Sequence, residues 1–290
     1  MRDLILGILL AATASLCFNL AIVIQAGEAR QVEQDGMSLA LLPKLLRRPR
    51  WVGGLLLQVV VVPLQTLALT IAPLAVVQPS DAAGLIVLLA AGSRMLGEPV
   101  GSKEIASVAA IIIGVAGVAV GAPAHSDTSA ALPVIVAVLA PLALLAFSPY
   151  LLGRRVSGSV MVLAAGLTFA LSAFMLKLLA DSLIAAAWAA AAGVVLVLIV
   201  LGITGVNSEQ SALRLRPVAT VAPVIFVMEM AIPIALGVLI GGESLPATGW
   251  KTLVLLVSLA VTVVAAVTLI RSAAVGGMIE AEKGPGASAS

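Results

Sequence analysis

Two acidic residues stand in long apolar surroundings: Asp81 within VVQPSDAAGL and Glu229 within IFVMEMAI. A carboxylate placed in lipid costs about 2.5 kcal/mol or more to insert, so it normally faces a cavity or a partner. The chemistry open to it is cation binding, or the exchange of a proton for a substrate. Gln78 precedes Asp81 by three residues and shares its helical face. Pro79 and Pro223 lie nearby and free backbone carbonyls as further oxygen acceptors. Asn19, Gln58 and Gln65 are the carboxamides in other apolar runs. The candidate substrate-binding set is therefore Asp81, Glu229, Gln78, Asn19, Gln58 and Gln65. Asp81 has a plainer alternative, capping a helix turn after the Pro-Ser step near an interface.

The elements around these acids repeat. APLAVVQPSDAAGLIVLLAAGSRMLGE, residues 72–98, returns in altered form as RPVATVAPVIFVMEMAIPIALGVLIGGE, residues 216–243. Pro73 and Pro79 are six apart, as are Pro217 and Pro223. Each copy then runs through one apolar segment to a turn ending in Glu98 or Glu243. The shared opening PLAVVQP and PVATVAP, the spacing and the terminal Glu together read as a duplicated membrane unit.

Composition fixes the solvent. Of 290 residues, 61% are hydrophobic and 10% charged, with a mean hydropathy of +1.20. Such a chain has too little polar surface for a soluble domain. In lipid the backbone must bond to itself, and runs of about 20 apolar residues read as helices rather than barrel strands. The net charge of +2 and 3% aromatics argue against nucleic acid as a partner. The lone Cys17 excludes an internal disulfide and a thiolate zinc site. His125 reads as a loop residue.

Nine spans are expected, near 4–24, 52–71, 74–95, 104–121, 132–152, 158–179, 184–204, 217–240 and 250–270. The first run is too long for a signal peptide's core, and Arg2 and Asp3 cancel before it, so it reads as a retained helix. Of the 16 Lys and Arg residues, all but Arg2, Lys177 and Lys251 fall on one side of these spans. The N-terminus is therefore expected outside and the C-terminus inside. Spans 1–4 and 6–9 then run in opposite senses. The expected fold is all-α and integral to the membrane, two inverted four-helix repeats joined by span 5. The corresponding units are a first repeat at 1–121, a connector at 122–157, a second repeat at 158–271 and a disordered cytoplasmic tail at 272–290. Asp81 comes out ~12 Å below the outer face and Glu229 ~18 Å from the inner one, a similar depth in a ~30 Å core.

The remaining features read as packing. Ser15 and Asn19 share one face, as do Thr168 and Ser172 in the repeat partner. Gly117 and Gly121, with Ala110 and Gly114, form a small-residue face for close packing within the fold or in a homodimer. Leucines mixed with basic residues in SLALLPKLLRRPRW read as an interfacial segment with Trp51 as its anchor. Glu98 and Glu243 read as solvated turn residues.

WVGGLLLQ, then APLAVVQP, the LGE turn and a glycine-rich span resemble the drug/metabolite transporter superfamily. The IQAG ending of span 1 and Trp51 opening span 2 are similar to its nine-span NIPA-type magnesium transporter branch. The resemblance is clearest over residues 4–121. It implies a central cavity, transport of a small solute and, for that branch, Mg²⁺ as the transported ion. Asp81 departs from the branch's pattern.

The function expected is a multi-pass plasma-membrane transporter using alternating access of inverted repeats. Its substrate is either a small organic metabolite or drug, or Mg²⁺. In the second case Asp81 and Glu229 are the metal ligands, since Mg²⁺ is a hard cation that takes oxygen. No cofactor is expected beyond that ion. The bilayer and the solute are the expected partners. The alternative from another class is a membrane scaffold or accessory subunit without transport. An enzyme is not expected, because no His cluster or nucleophile-plus-base arrangement occurs.

Overall fold

A computed structural model describes residues 2–33, 39–71, 74–121, 130–152, 156–242, 244–246 and 248–282. Its elements are α1 (Arg2–Ala29), α2 (Leu41–Leu45), α3 (Pro49–Ile71), α4 (Leu74–Leu96) and α5 (Ser102–Val120). They continue with α6 (Leu132–Leu152), α7 (Gly158–Ile184), α8 (Trp188–Leu215), α9 (Val218–Leu239) and α10 (Gly249–Glu282). Seven helices are long and apolar enough, over their described residues, to cross a membrane: α1, α5, α6, α7, α8, α9 and α10. The chain is thus a multi-pass, all-helical membrane protein. In α3 and α4 the fully described apolar stretches are shorter, Pro49–Val61 and Ala82–Leu96.

Packing follows a doubled pattern. α1 packs chiefly on α3 and α4, while α7 packs chiefly on α8 and α9. α4 meets α5 and α9 meets α10. The two sets touch through α5 against α10 and α4 against α9, and α6 lies on α7. Buried residues of α1, α4, α5, α7, α8, α9 and α10 form one central core, with Ala26, Ala82, Ile111, Ala165, Leu213 and Val221 at its heart.

Small residues set the close contacts, because helices in lipid gain from backbone approach. On α5, Gly114 faces the Ser258 carbonyl, 3.0 Å from where a Cβ would sit. Gly121 likewise faces the Lys251 carbonyl at 2.7 Å. The expected small-residue face is therefore covered within the chain by α10.

Pro141 and Pro149 lie inside α6, and Pro223 and Pro233 inside α9. Each removes a helical donor. Pro149 frees the Leu145 carbonyl, and the Ser148 hydroxyl takes it at 2.8 Å. Pro233 leaves the Glu229 carbonyl without its donor four residues on.

Three sequence expectations need correction. α8 runs to Leu215, not to about residue 204, and its added turns are buried although polar: Asn207, Ser208, Gln210 and Ser211 are at most 1% exposed. Trp51 is not an interfacial anchor. It is 1% exposed and donates from Nε1 to Gln210 Oε1 at 3.0 Å, pinning α3 to α8. Glu98 is no solvated turn residue. Gly97, at φ 66°, takes the left-handed conformation that glycine tolerates, and Glu98 turns inward, 6% exposed. Glu243 and His125 lie outside the described residues.

Candidate functional site

One cavity of about 290 Å³ is lined by Ser15, Phe18, Asn19 and Ile22 of α1, Leu85 of α4, and Ala222, Phe226 and Glu229 of α9. Its volume is near the lower end for small-molecule sites. The structure thus brings together two of the residues expected from sequence, Asn19 and Glu229, together with Ser15. Glu229 sits mid-helix in α9, is exposed and lines this cavity. Two phenyl rings, Phe18 and Phe226, share the lining with its carboxylate.

Asn19 is held in place by its own helix. Its Nδ2 donates to the Ser15 carbonyl at 2.8 Å and to Ser15 Oγ at 3.3 Å. α4 presses on that pair at Gly84, where a Cβ would come within 2.6 Å of Asn19 Nδ2 and overlap Ser15 Oγ. Only glycine lets α4 seat Leu85 in the cavity wall beside Ser15 and Asn19. Thr168 and Ser172 on α7 bond back to the Ala164 and Thr168 carbonyls at 2.7 and 3.0 Å. They do not line the cavity.

Gln58 is placed elsewhere. It accepts from Gln25 Nε2 at 3.1 Å, and Gln210 Nε2 donates to Gln25 Oε1 at 3.3 Å. With Trp51 on Gln210, a buried file of carboxamides ties α3, α1 and α8 together. Gln58 belongs to that file and not to the cavity lining. Gln65, Gln78 and Asp81 lie on α3 and α4, but their side chains are outside the described residues.

Sequence reading missed a second acid. Glu209 on α8 is 7% exposed, with no hydrogen bond or ion pair among the described residues. It lies close enough to Glu229 for their charges to act on each other. The apolar run of this span ends near residue 204, so the sequence carries no sign that VNSEQS continues the helix to Leu215. Beside it, Asn207 Nδ2 donates to the Tyr150 hydroxyl at 3.0 Å, and that hydroxyl donates to the Thr204 carbonyl at 3.0 Å. Those bonds dock α6 on α8.

At one end of the site, two charged residues close the helix termini. Glu98 accepts from the Val218 and Ala219 amides at 2.7 and 3.3 Å, capping the N-terminus of α9. Arg30 pairs with Glu98 and donates to the Leu213 and Arg216 carbonyls at 3.0 and 3.2 Å, at the C-terminus of α8.

Chemically, the cavity offers one carboxylate, one carboxamide, a hydroxyl and two aromatic faces. That set suits a cation with apolar substituents, since a carboxylate and ring faces both attract positive charge. No cluster of three His, Cys, Asp or Glu side chains occurs among the described residues. No family model, curated protein or solved structure matches the chain. The fold defines a polytopic helical membrane protein, and one of its cavities is lined by an acid, Glu229.

Proposed function

We propose that the chain is a plasma-membrane transporter of a small solute, built as two inverted four-helix repeats. The repeats are α1, α3, α4 and α5, and α7, α8, α9 and α10, with α6 as connector. α3 and α4 complete nine crossings. The like pairing of α1 with α3 and α4, and of α7 with α8 and α9, supports this reading. So does the sequence resemblance to the drug/metabolite transporter superfamily.

The observation that carries the proposal is Glu229, an acid on a span-length apolar helix that lines one cavity with Asn19 and two phenyl rings. An acid in such a position is costly and marks a solute or ion path. The preferred substrate is a small organic cation. The rings and the modest volume favour alkylammonium over a hydrated metal ion, which presents only water to its surroundings. Mg²⁺ is the second reading. It draws on Glu209 as a second acid near Glu229, and on the likeness to the NIPA-type branch.

The test is uptake into proteoliposomes of labelled tetramethylammonium and, separately, of Mg²⁺, by the native chain and Glu229→Gln. Saturable tetramethylammonium uptake lost in the variant is the expected result. Mg²⁺ uptake lost in its place moves the substrate to the metal. No saturable flux of either ion in folded protein overturns transport of these cations and favours a scaffold.

A further inference from the structure

A groove of about 500 Å³ opens between α4 and α5, on the outer face of the bundle. Its floor is Leu89 and Val108, 7% and 2% exposed, and Ile86 and Ile105 stand at its rim, each 57% exposed. Eight of its ten lining residues are apolar; the other two, Ser93 and Arg94, sit together at one end. From Arg94 to Ile86 the wall rises about 12 Å along α4. The groove is therefore apolar along its length and cationic at its mouth.

The turn beyond that mouth sharpens the charge. Glu98 points away, into the α9 cap and onto Arg30. Glu104 accepts the Gly101 amide at 2.9 Å. Arg94, in the groove lining, and Lys103, in the first turn of α5 two residues before the lining Ile105, are both exposed. Two other grooves on the bundle's outer face, between α6, α7 and α8 and between α5 and α10, have no charged residue in their lining. A general affinity for lipid tails gives no reason for a cation at the α4–α5 groove when these two lack one.

We propose that the α4–α5 groove is a binding site for an anionic phospholipid. One acyl chain lies over Leu89 and Val108, and the headgroup phosphate meets Arg94 and Lys103. Apolar burial holds the chain, and the two cations select the headgroup. A zwitterionic lipid fills the same trough without that selection.

The experiment is native mass spectrometry of the purified full-length protein in detergent, with phosphatidylglycerol and phosphatidylcholine of identical acyl chains in equal amounts. The native chain should retain phosphatidylglycerol preferentially. Arg94→Gln with Lys103→Gln should lower that preference by about fivefold for each basic residue removed. Both substitutions lie on the surface, and an unchanged melting temperature shows that the fold is intact. Ala109→Trp, which fills the groove, should reduce retention of both lipids. Lys251→Gln, an exposed cation away from the groove, should change nothing. Equal retention of the two lipids by the native chain overturns the site. So does a preference that survives the double substitution, or one that falls as far in Lys251→Gln.

Discussion

The Glu98 carboxylate accepts the Val218 amide at 2.7 Å, so the turn after α4 caps the helix that carries Glu229. The same carboxylate pairs with Arg30, which in turn closes the end of α8. One acid and one base thus fix where α8 stops and α9 starts. They link the end of α1 to the opposite half of the bundle, and α9 enters the cavity wall from a fixed point.

Glu98→Gln keeps the shape and removes the charge from these contacts. Charge-assisted hydrogen bonds contribute about 1.5–3 kcal/mol, and the loss should approach that range. Arg30 is partly exposed, so its own share is smaller. Thermal unfolding in detergent checks this. Arg30→Ala combined with Glu98→Gln should destabilise less than the sum of the two, since they share one network.

Glu209→Gln tests whether the buried acid serves the cavity. Removing a second acid near Glu229 should weaken cation binding, raising the KM for tetramethylammonium by about tenfold while kcat holds. An unchanged KM would exclude Glu209 from the site. The isosteric amide guards the fold.

Gly84→Ala drives a methyl group into Ser15 and Asn19. Overpacking of this kind costs about 1–3 kcal/mol and displaces α4 from α1. Uptake should fall sharply. Ser15→Gly removes the nearest atoms and should restore part of the uptake in the double variant. No rescue would place the damage elsewhere.

Trp51→Phe leaves Gln210 Oε1 without its donor in a position that is 0% exposed. A buried acceptor left unpaired costs about 1–3 kcal/mol. The melting temperature should drop, while KM for the cation stays unchanged, because the carboxamide file stands apart from the cavity.

Gly117→Val tests the α5–α10 seam. A side chain there strikes Ser258, with its Cβ 3.0 Å from the new atom. Separation of the two helices should appear as lowered stability in thermal unfolding. A stable variant would mean that α10 can shift without cost.

Much of this protein was legible without coordinates. Apolar runs of span length prescribe helices because lipid offers the backbone no other partner. Glu229 was visible as a charge amid Phe226, Met228 and Met230, and the Ser15–Asn19 pair as one helix face. Where apolar periodicity stopped, the reading stopped with it. VNSEQS looked like a loop, and Glu98 and Trp51 looked like boundary residues.

Tertiary structure decided those three and the cavity itself. Polar residues of α8 are buried because Tyr150, Gln25 and Trp51 arrive from other helices to satisfy them. Glu98 is buried because Val218, 120 residues later, presents an open helix terminus. Gln58 was drawn into the carboxamide file, and Asn19 was brought into one cavity lining with Glu229, by the way α1 meets α3, α4 and α9. Hydropathy is a local property and sets which segments enter the membrane. Hydrogen bonds and close packing join residues distant in sequence, and only the folded chain settles which polar groups find partners and which face the cavity.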